Sequence, residues 1–298
     1  MESLEKQLLV TISEDINALF GLRYVFGFFG RRDLVRLTLF YVSPRQQGLG
    51  GEDRELMSKM PFCPPGQEGG FGSGCRKPPH ALEEARKWLL DMGFPKDRIE
   101  LKSAPAKLGT VKDIAAEAER GLYDAVVLGR RGLTWFDEFF EDSITHRLLW
   151  ESITFPLWVC RNPARNARNV LLCVDGSEQA LRIADHVGFI LRDEPGHAVT
   201  VFHNRALGLP EGERIEDIMS EAAGILRENG IPDERIDFVV KSSKDPAELI
   251  LKEAAKGQYA AVAVGRTKGR TTAMENIFGS VSQTLLRKLE GASLWISK

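Results

Sequence analysis

Tyr259-Ala-Ala-Val-Ala-Val-Gly265, then Arg266-Thr-Lys-Gly269, then nine residues, then Gly279-Ser280-Val281-Ser282: this stretch sets the reading of the whole chain. A short apolar run that ends on glycine, a basic glycine loop and a Gly-Ser pair opening an amphipathic segment predict strand, loop and helix, the helix over 280–289. Such an order of parts suits an anion. Gly265, Gly269 and Gly279 let backbone N–H groups come close to a ligand, while Ser280 and the free N–H groups at the helix start offer donors and a partial positive charge. Arg266, Lys268 and Arg270 add three cations, opposed only by Glu275 before Gly279. Charge-assisted contacts of this kind are the stronger ones. The alternative is a solvated basic loop, but a basic run at a helix start is otherwise unfavourable, which itself speaks for a ligand. Neither G-x-x-x-x-G-K-[S/T] nor a G-x-G-x-x-G after a strand occurs.

Working outward, the chain repeats itself. Residues 8–28 align without gaps with 170–190, at an offset of 162, and Gly93-Phe-Pro-Lys-Asp-Arg-Ile-Glu100 aligns with Gly230-Ile-Pro-Asp-Glu-Arg-Ile-Asp237 at an offset of 137. Tyr123 to Gly129 matches Tyr259 to Gly265, and Pro156-Leu-Trp-Val159 matches Ser293-Leu-Trp-Ile296. Two similar domains are expected, 1–164 and 165–298, split near the Arg161 to Arg168 linker. Each copy reads β-α-β-α-β-α-β-α-β. In the second, strands are expected at 169–174, 198–204, 236–241, 259–264 and 293–297, with helices at 177–192, 212–229, 246–256 and 280–289. Continuously apolar strands alternating with helices imply an α/β fold, each domain a five-stranded parallel sheet with helices on both faces. Ligands in such sheets bind outside the carboxyl ends of the strands, where Asp175, Asn204 and Gly265 fall. The drop in offset from 162 to 137 means that the first copy carries about 25 extra residues. They lie at about 44–79, between strand 36–42 and helix 80–92, and their proline and glycine content resists regular structure.

Composition narrows the function classes. The 298 residues, 43% of them apolar, suffice for two cores. Forty basic residues against 42 acidic ones leave no field to recruit nucleic acid or an anionic membrane. An acidic start and the lack of any long apolar run predict a cytoplasmic protein. Of the four cysteines, Cys160 and Cys173 fall in apolar strand-like runs and read as buried reduced thiols. Cys63, Cys75 and His80 have the spacing C-x11-C-x4-H, which lacks the C-x2-C knuckle of a zinc site. No metal-binding or catalytic set is assigned: the five histidines show no metal spacing and no G-x-S-x-G serine accompanies them.

Gly269, nine residues, then Gly279-Ser280 resembles the universal stress protein (UspA-like) pattern G-x-x-G-x9-G-[S/T], although three residues follow Gly265 where the family has two. The resemblance implies tandem Rossmann-like, adenine nucleotide alpha hydrolase-like domains and a stress-response protein that binds ATP, with Mg2+ or Mn2+. It implies backbone contacts to adenine from His203 and Asn204, and places Asp175, beside Cys173 and Val174, near the ribose. Gly265, Arg266, Thr267, Lys268, Gly269 and Arg270, with Gly279, Ser280, Val281 and Ser282, are left for the phosphates. It also implies pairing of the final strands, 156–160 and 293–297, as an intramolecular pseudo-dimer, with a homodimer as a further option. Turnover is expected to be slow at most, because no general base is assignable for attack on a γ-phosphate; autophosphorylation on Thr267, Thr271 or Thr272 stays open. A bound AMP or cyclic nucleotide and a nucleotide-free scaffold are the alternatives. An adenylating pyrophosphatase of related fold is disfavoured, since Val174-Asp-Gly-Ser-Glu178 is not S-G-G-x-D-S.

The first copy keeps Gly129-Arg-Arg-Gly132 but has Ser13 in place of the Asp and Asp142-Ser143 in place of Gly-Ser. Asp137, Glu138, Glu141 and Asp142 repel phosphate, so this copy is expected to bind triphosphate weakly or not at all. Trp135, Phe136, Phe139 and Phe140 are expected to pack, as a plug in their own cleft or as a dock.

Overall fold

The computed structural model describes residues 3–13, 19–43, 60–62, 77–129, 154–161, 167–205, 214–256, 259–266 and 275–297, with the backbone alone for 214 and 275–280. The aromatic loop, its acidic neighbours, Thr267 to Arg270, Thr271, Thr272, Cys63 and Cys75 lie outside these residues. In the first half come β1 (Lys6–Thr11), α1 (Phe20–Phe28), β2 (Val35–Ser43), α2 (His80–Asp91), β3 (Ile99–Pro105), α3 (Thr110–Gly121), β4 (Ala125–Gly129) and β5 (Leu157–Cys160). The second half comprises β6 (Asn169–Cys173), α4 (Glu178–Leu191), β7 (Val199–Arg205), α5 (Arg214–Glu228), β8 (Ile236–Ser242), α6 (Pro246–Ala254), β9 (Tyr259–Gly265), α7 (Glu275–Lys288) and β10 (Ser293–Ser297).

The five strands of each half run parallel, and the halves join into one sheet, in the order β3-β2-β1-β4-β5-β10-β9-β6-β7-β8. The sequence predicts the two five-stranded sheets, and the pairing of final strands 156–160 and 293–297 that the resemblance implies is what fuses them. β5 and β10 pair antiparallel, with Trp158 opposite Trp295. Helices cover both faces of the sheet except at β8, where Phe238 and Val240 stay about half exposed. One core lies under α1, α2, α4 and α5, and a second under α3, α6 and α7.

The repeat is visible bond by bond. Both α2 and α5 end in the same left-handed glycine, Gly93 at φ +83° and Gly230 at φ +87°. The next residue's amide returns five positions in each: Phe94 donates to Leu89 O at 2.9 Å, and Ile231 to Leu226 O at 3.0 Å. These are Schellman closures, which explains why Gly-x-Pro at the turn is shared by the two copies. Beyond β1 and β6 the matching amides of Ile12 and Val174 donate to Phe40 O and Phe202 O at 2.8 and 2.9 Å.

Polar groups reinforce the seam between the halves. Trp158 and Trp295 stack at 4.1 Å between centroids and 4° between planes, and both are fully buried. Trp158 Nε1–H donates to His186 Nε2 at 3.0 Å. Buried Lys6 of β1 pairs with Asp193, just past α4. Glu194, also buried, accepts the amides of Gly30 and Arg31 at 2.9 and 3.0 Å. From the first residue after β5, Arg161 donates to the carbonyls of Leu286 and Leu289, so a cation satisfies the end of α7. Among the described residues no helix is long and apolar enough to cross a membrane.

Candidate functional site

The second half reverses its strand order between β6 and β9: β7 and β8 lie to one side, β10 to the other. A crevice outside the carboxyl ends of β6 and β9 is where such a sheet receives ligands. Cys173 ends β6, and the turn Val174-Asp175-Gly176-Ser177 leads into α4. The Asp175 carboxylate accepts from the Ser177 amide at 3.0 Å and from its hydroxyl at 2.6 Å. Ser177 Oγ in turn accepts from the Ala180 amide at 3.2 Å, capping α4. Gly176 sits at φ +78°, and a Cβ there would stand 2.9 Å from the Ile218 side chain. This turn therefore tolerates little but glycine, and it leaves Asp175 exposed at the rim of the sheet. The Asp-Gly turn signal and the Ser before an apolar helix were readable in the sequence, yet Gly176 and Ser177 were passed over as site residues.

Burial, with the Asp175 charge adding to it, pushes the Cys173 thiol up, so it remains protonated at neutral pH. His203 is buried and its Nδ1 lies 2.8 Å from Val174 O. A carbonyl only accepts, so Nδ1 carries the proton and the ring ties β7 to the turn after β6. Asn204 donates from Nδ2 to Ser243 O at 3.2 Å and accepts from the Ser243 amide at 2.9 Å. Both residues were expected at the carboxyl end of strand 198–204, and both lie within β7, paired with Val240 and Lys241 of β8. Strand pairing carries the ladder on to Arg205, further than the apolar run alone suggested.

On the β9 side two expectations change. A Cβ on Gly265 would stand 2.5 Å from the backbone C and O of Gln179 and 2.6 Å from Ala180 N. Glycine is thus required for the close approach of the first turn of α4, before any ligand enters. Arg266 is buried and its amide donates to Ser297 O at 2.7 Å, which makes it a continuation of the strand edge and not a loop cation.

The largest correction concerns α7. It starts at Glu275, not at Ser280, so Gly279 and Ser280 stand in its second turn. Intrahelical bonding engages their amides and that of Phe278, and leaves those of Glu275 to Ile277 among the free N-terminal donors. Ile277, Val281, Leu285 and Leu289 recur every four residues, and this apolar period carries the helix back through a glycine that costs only about 1 kcal/mol. Val281 is half-buried against the second core and Ser282 is buried. Thr267, Lys268, Gly269 and Arg270 lie outside the described residues.

Among the described residues no group of three or more His, Cys, Asp or Glu is placed to hold a metal ion. A cleft of about 780 Å³ opens elsewhere, between α3 and α4, lined by Tyr123, Phe155, Leu181, Asp185 and Phe189 among others. It includes none of the sequence-predicted site residues.

Residues 166–291 match the model of the Universal stress protein family. No curated protein matches the sequence. Among solved structures the chain resembles a universal stress protein from Archaeoglobus fulgidus DSM 4304, with a TM-score of 0.61 and 16% identity, over 99% of this chain and 97% of that one. A functionally unknown protein from Pseudomonas aeruginosa PAO1 is similar at a TM-score of 0.51 and 16% identity, over 99% of this chain and 92% of that one. At such identity the two structures speak for the fold.

Proposed function

Because the chain belongs, through residues 166–291, to the universal stress protein family, we propose that it is a cytoplasmic stress-response regulator that binds ATP with a divalent ion in a domain spanning 165–298. The observation that carries this reading is the switch-point crevice of β6 and β9. Its turn is fixed by Gly176 and Ser177, and it presents an exposed Asp175 beside the start of a basic glycine loop. Asp175 suits the ribose hydroxyls as an acceptor. Lys268 and Arg270, with the free amides of Glu275 to Ile277, suit the phosphates. Asp175 is the one carboxylate assigned to the crevice, so a Mg2+ or Mn2+ ion would be held chiefly by phosphate oxygens. The domain 1–164, with Ser13 at the corresponding rim, serves as a partner that forms an intramolecular pseudo-dimer through β5 and β10. Binding rather than turnover is the activity, with slow hydrolysis or autophosphorylation at most.

Titration calorimetry with Mg-ATP tests this. Asp175→Ala and Lys268→Ala should each weaken binding about tenfold or more, in keeping with the loss of a charge-assisted contact. Undiminished affinity in both sinks the site. Competition by AMP and cyclic AMP decides how many phosphates matter.

The nucleotide-free scaffold keeps two observations in its favour: α7 uses the amides of Gly279 and Ser280 internally, and Arg266 is buried. Acid extraction of the purified protein, followed by adenine absorbance and mass measurement, separates the two readings.

A further inference from the structure

The two ends of the sheet are not equivalent. At an offset of 137 residues, Ile99, Leu101 and Ser103 of β3 correspond to Ile236, Phe238 and Val240 of β8. In the first half this face is covered. Phe62, from the insertion, packs against the same core as Ile99 and Leu101, and Ser103 is 5% exposed. No such insertion exists in the second half, where Phe238 is 50% and Val240 46% exposed. β8 is also the last strand of the sheet, and among the described residues it pairs with β7 alone. An edge strand with unpaired backbone groups and two adjacent apolar side chains is a template for another strand.

We propose that a second copy of this chain pairs with β8, antiparallel and about a two-fold axis at Val239, to continue the ten-stranded sheet across the dimer. The strand's own sequence favours that occupant. In this register Asp237 faces the second copy's Lys241, and Lys241 faces the second copy's Asp237. Phe238 and Val240 likewise face each other across the axis. The two faces agree with the burial: Val239 packs on the core under α6 and α7, and Lys241 on the same face reaches Glu253 of α6 at 2.6 Å. Ile236 belongs to the opposite core, so Phe238 and Val240 extend that apolar surface outward. Opposite charges and apolar pairs directly across an antiparallel ladder stabilise it, and like charges there oppose it. A self-complementary patch is what a two-fold interface requires. Asp237 is exposed and has no ion-pair partner among the described residues, so the charge is available.

Sedimentation velocity over a dilution series of the full chain tests the proposal through charge exchange. Wild type should self-associate. Asp237→Lys places lysines opposite each other twice across the axis, and Lys241→Asp does the same with aspartates. Each should weaken association about tenfold or more. Mixed one to one, the two variants regain both opposite-charge pairs and should associate as tightly as wild type. A wild type that stays monomeric overturns the proposal, as does an Asp237→Lys chain that associates like wild type, or a mixture of folded variants that stays apart. Should Lys241→Asp lose its fold with the Glu253 pair, Phe238→Arg, at an exposed position, serves instead: it should lower association about tenfold, and unchanged association overturns the proposal.

Discussion

Residue by residue, the second half is held by groups whose roles follow from burial. His186 accepts the Trp158 N–H, and burial pushes its pKa down to about 3. For His197, packed on Phe28 at 4.6 Å, burial lowers the pKa to about 4, with the charges of Arg168 and Arg235 acting in the same direction. Both rings are neutral in the folded protein at pH 7. Between the ordinary value of 6.5 and these depressed values the unfolded chain binds protons that the folded chain does not. Stability is therefore fully present above 6.5 and falls as pH drops, with a slope of up to about 1.4 kcal/mol per pH unit for each histidine. Urea midpoints should decline from about pH 7 to about pH 5, and His186→Gln, which can still accept from Trp158, should flatten that decline. Midpoints that stay constant over this range would contradict the account. Gly265 shows a residue whose identity was legible and whose reason was not: a glycine ending an apolar run announces a close approach, but only the fold shows that what approaches is the backbone of Gln179 and Ala180.

Elements are positioned by what meets their ends. Glu194 holds the chain beyond α1 by accepting two amides from the other half, Gly30 and Arg31, from a buried position. Glu194→Ala would remove both charge-assisted bonds, at a cost of about 2 kcal/mol in chemical denaturation, whereas Glu194→Gln, which can keep one of them, should lose less. Equal losses for the two substitutions would count against the capping role. The strands were legible because each is a short apolar run bounded by polar residues, and β6 to β10 fall within a residue or so of their expected limits. The start of α7 was not. A Gly-Ser pair is a fair start signal when read locally, but the apolar period through Ile277 outweighed it, since most of a helix's stability comes from packing its stripe.

At the scale of the molecule, the antiparallel contact of β5 and β10 joins two parallel half-sheets that would each expose an apolar edge if separate. Trp158 and Trp295 occupy equivalent places in the repeat, face each other across the antiparallel pair and stack on each other. Residues 165–298 carrying Phe238→Arg, which disables the β8 edge, should consequently dimerise through β10, with Trp295 stacked on its counterpart, and adding Trp295→Ala should return that fragment to monomers, as light scattering would show. A fragment that remains monomeric at every concentration would disprove the equivalence.

The repeat, the strand limits, the Schellman glycines and the α/β class were determined by the sequence, because each depends on periodicity or on a backbone angle that neighbouring residues impose. Which donors stay free at the β6 and β9 rim, where Arg266 goes, and which edge of the sheet is left bare were decided only in three dimensions. Those outcomes depend on contacts between segments far apart in the chain, such as α4 with β9, Arg266 with Ser297 of β10 and Phe62 with the first core, and no local pattern of residues encodes which partner a surface will meet.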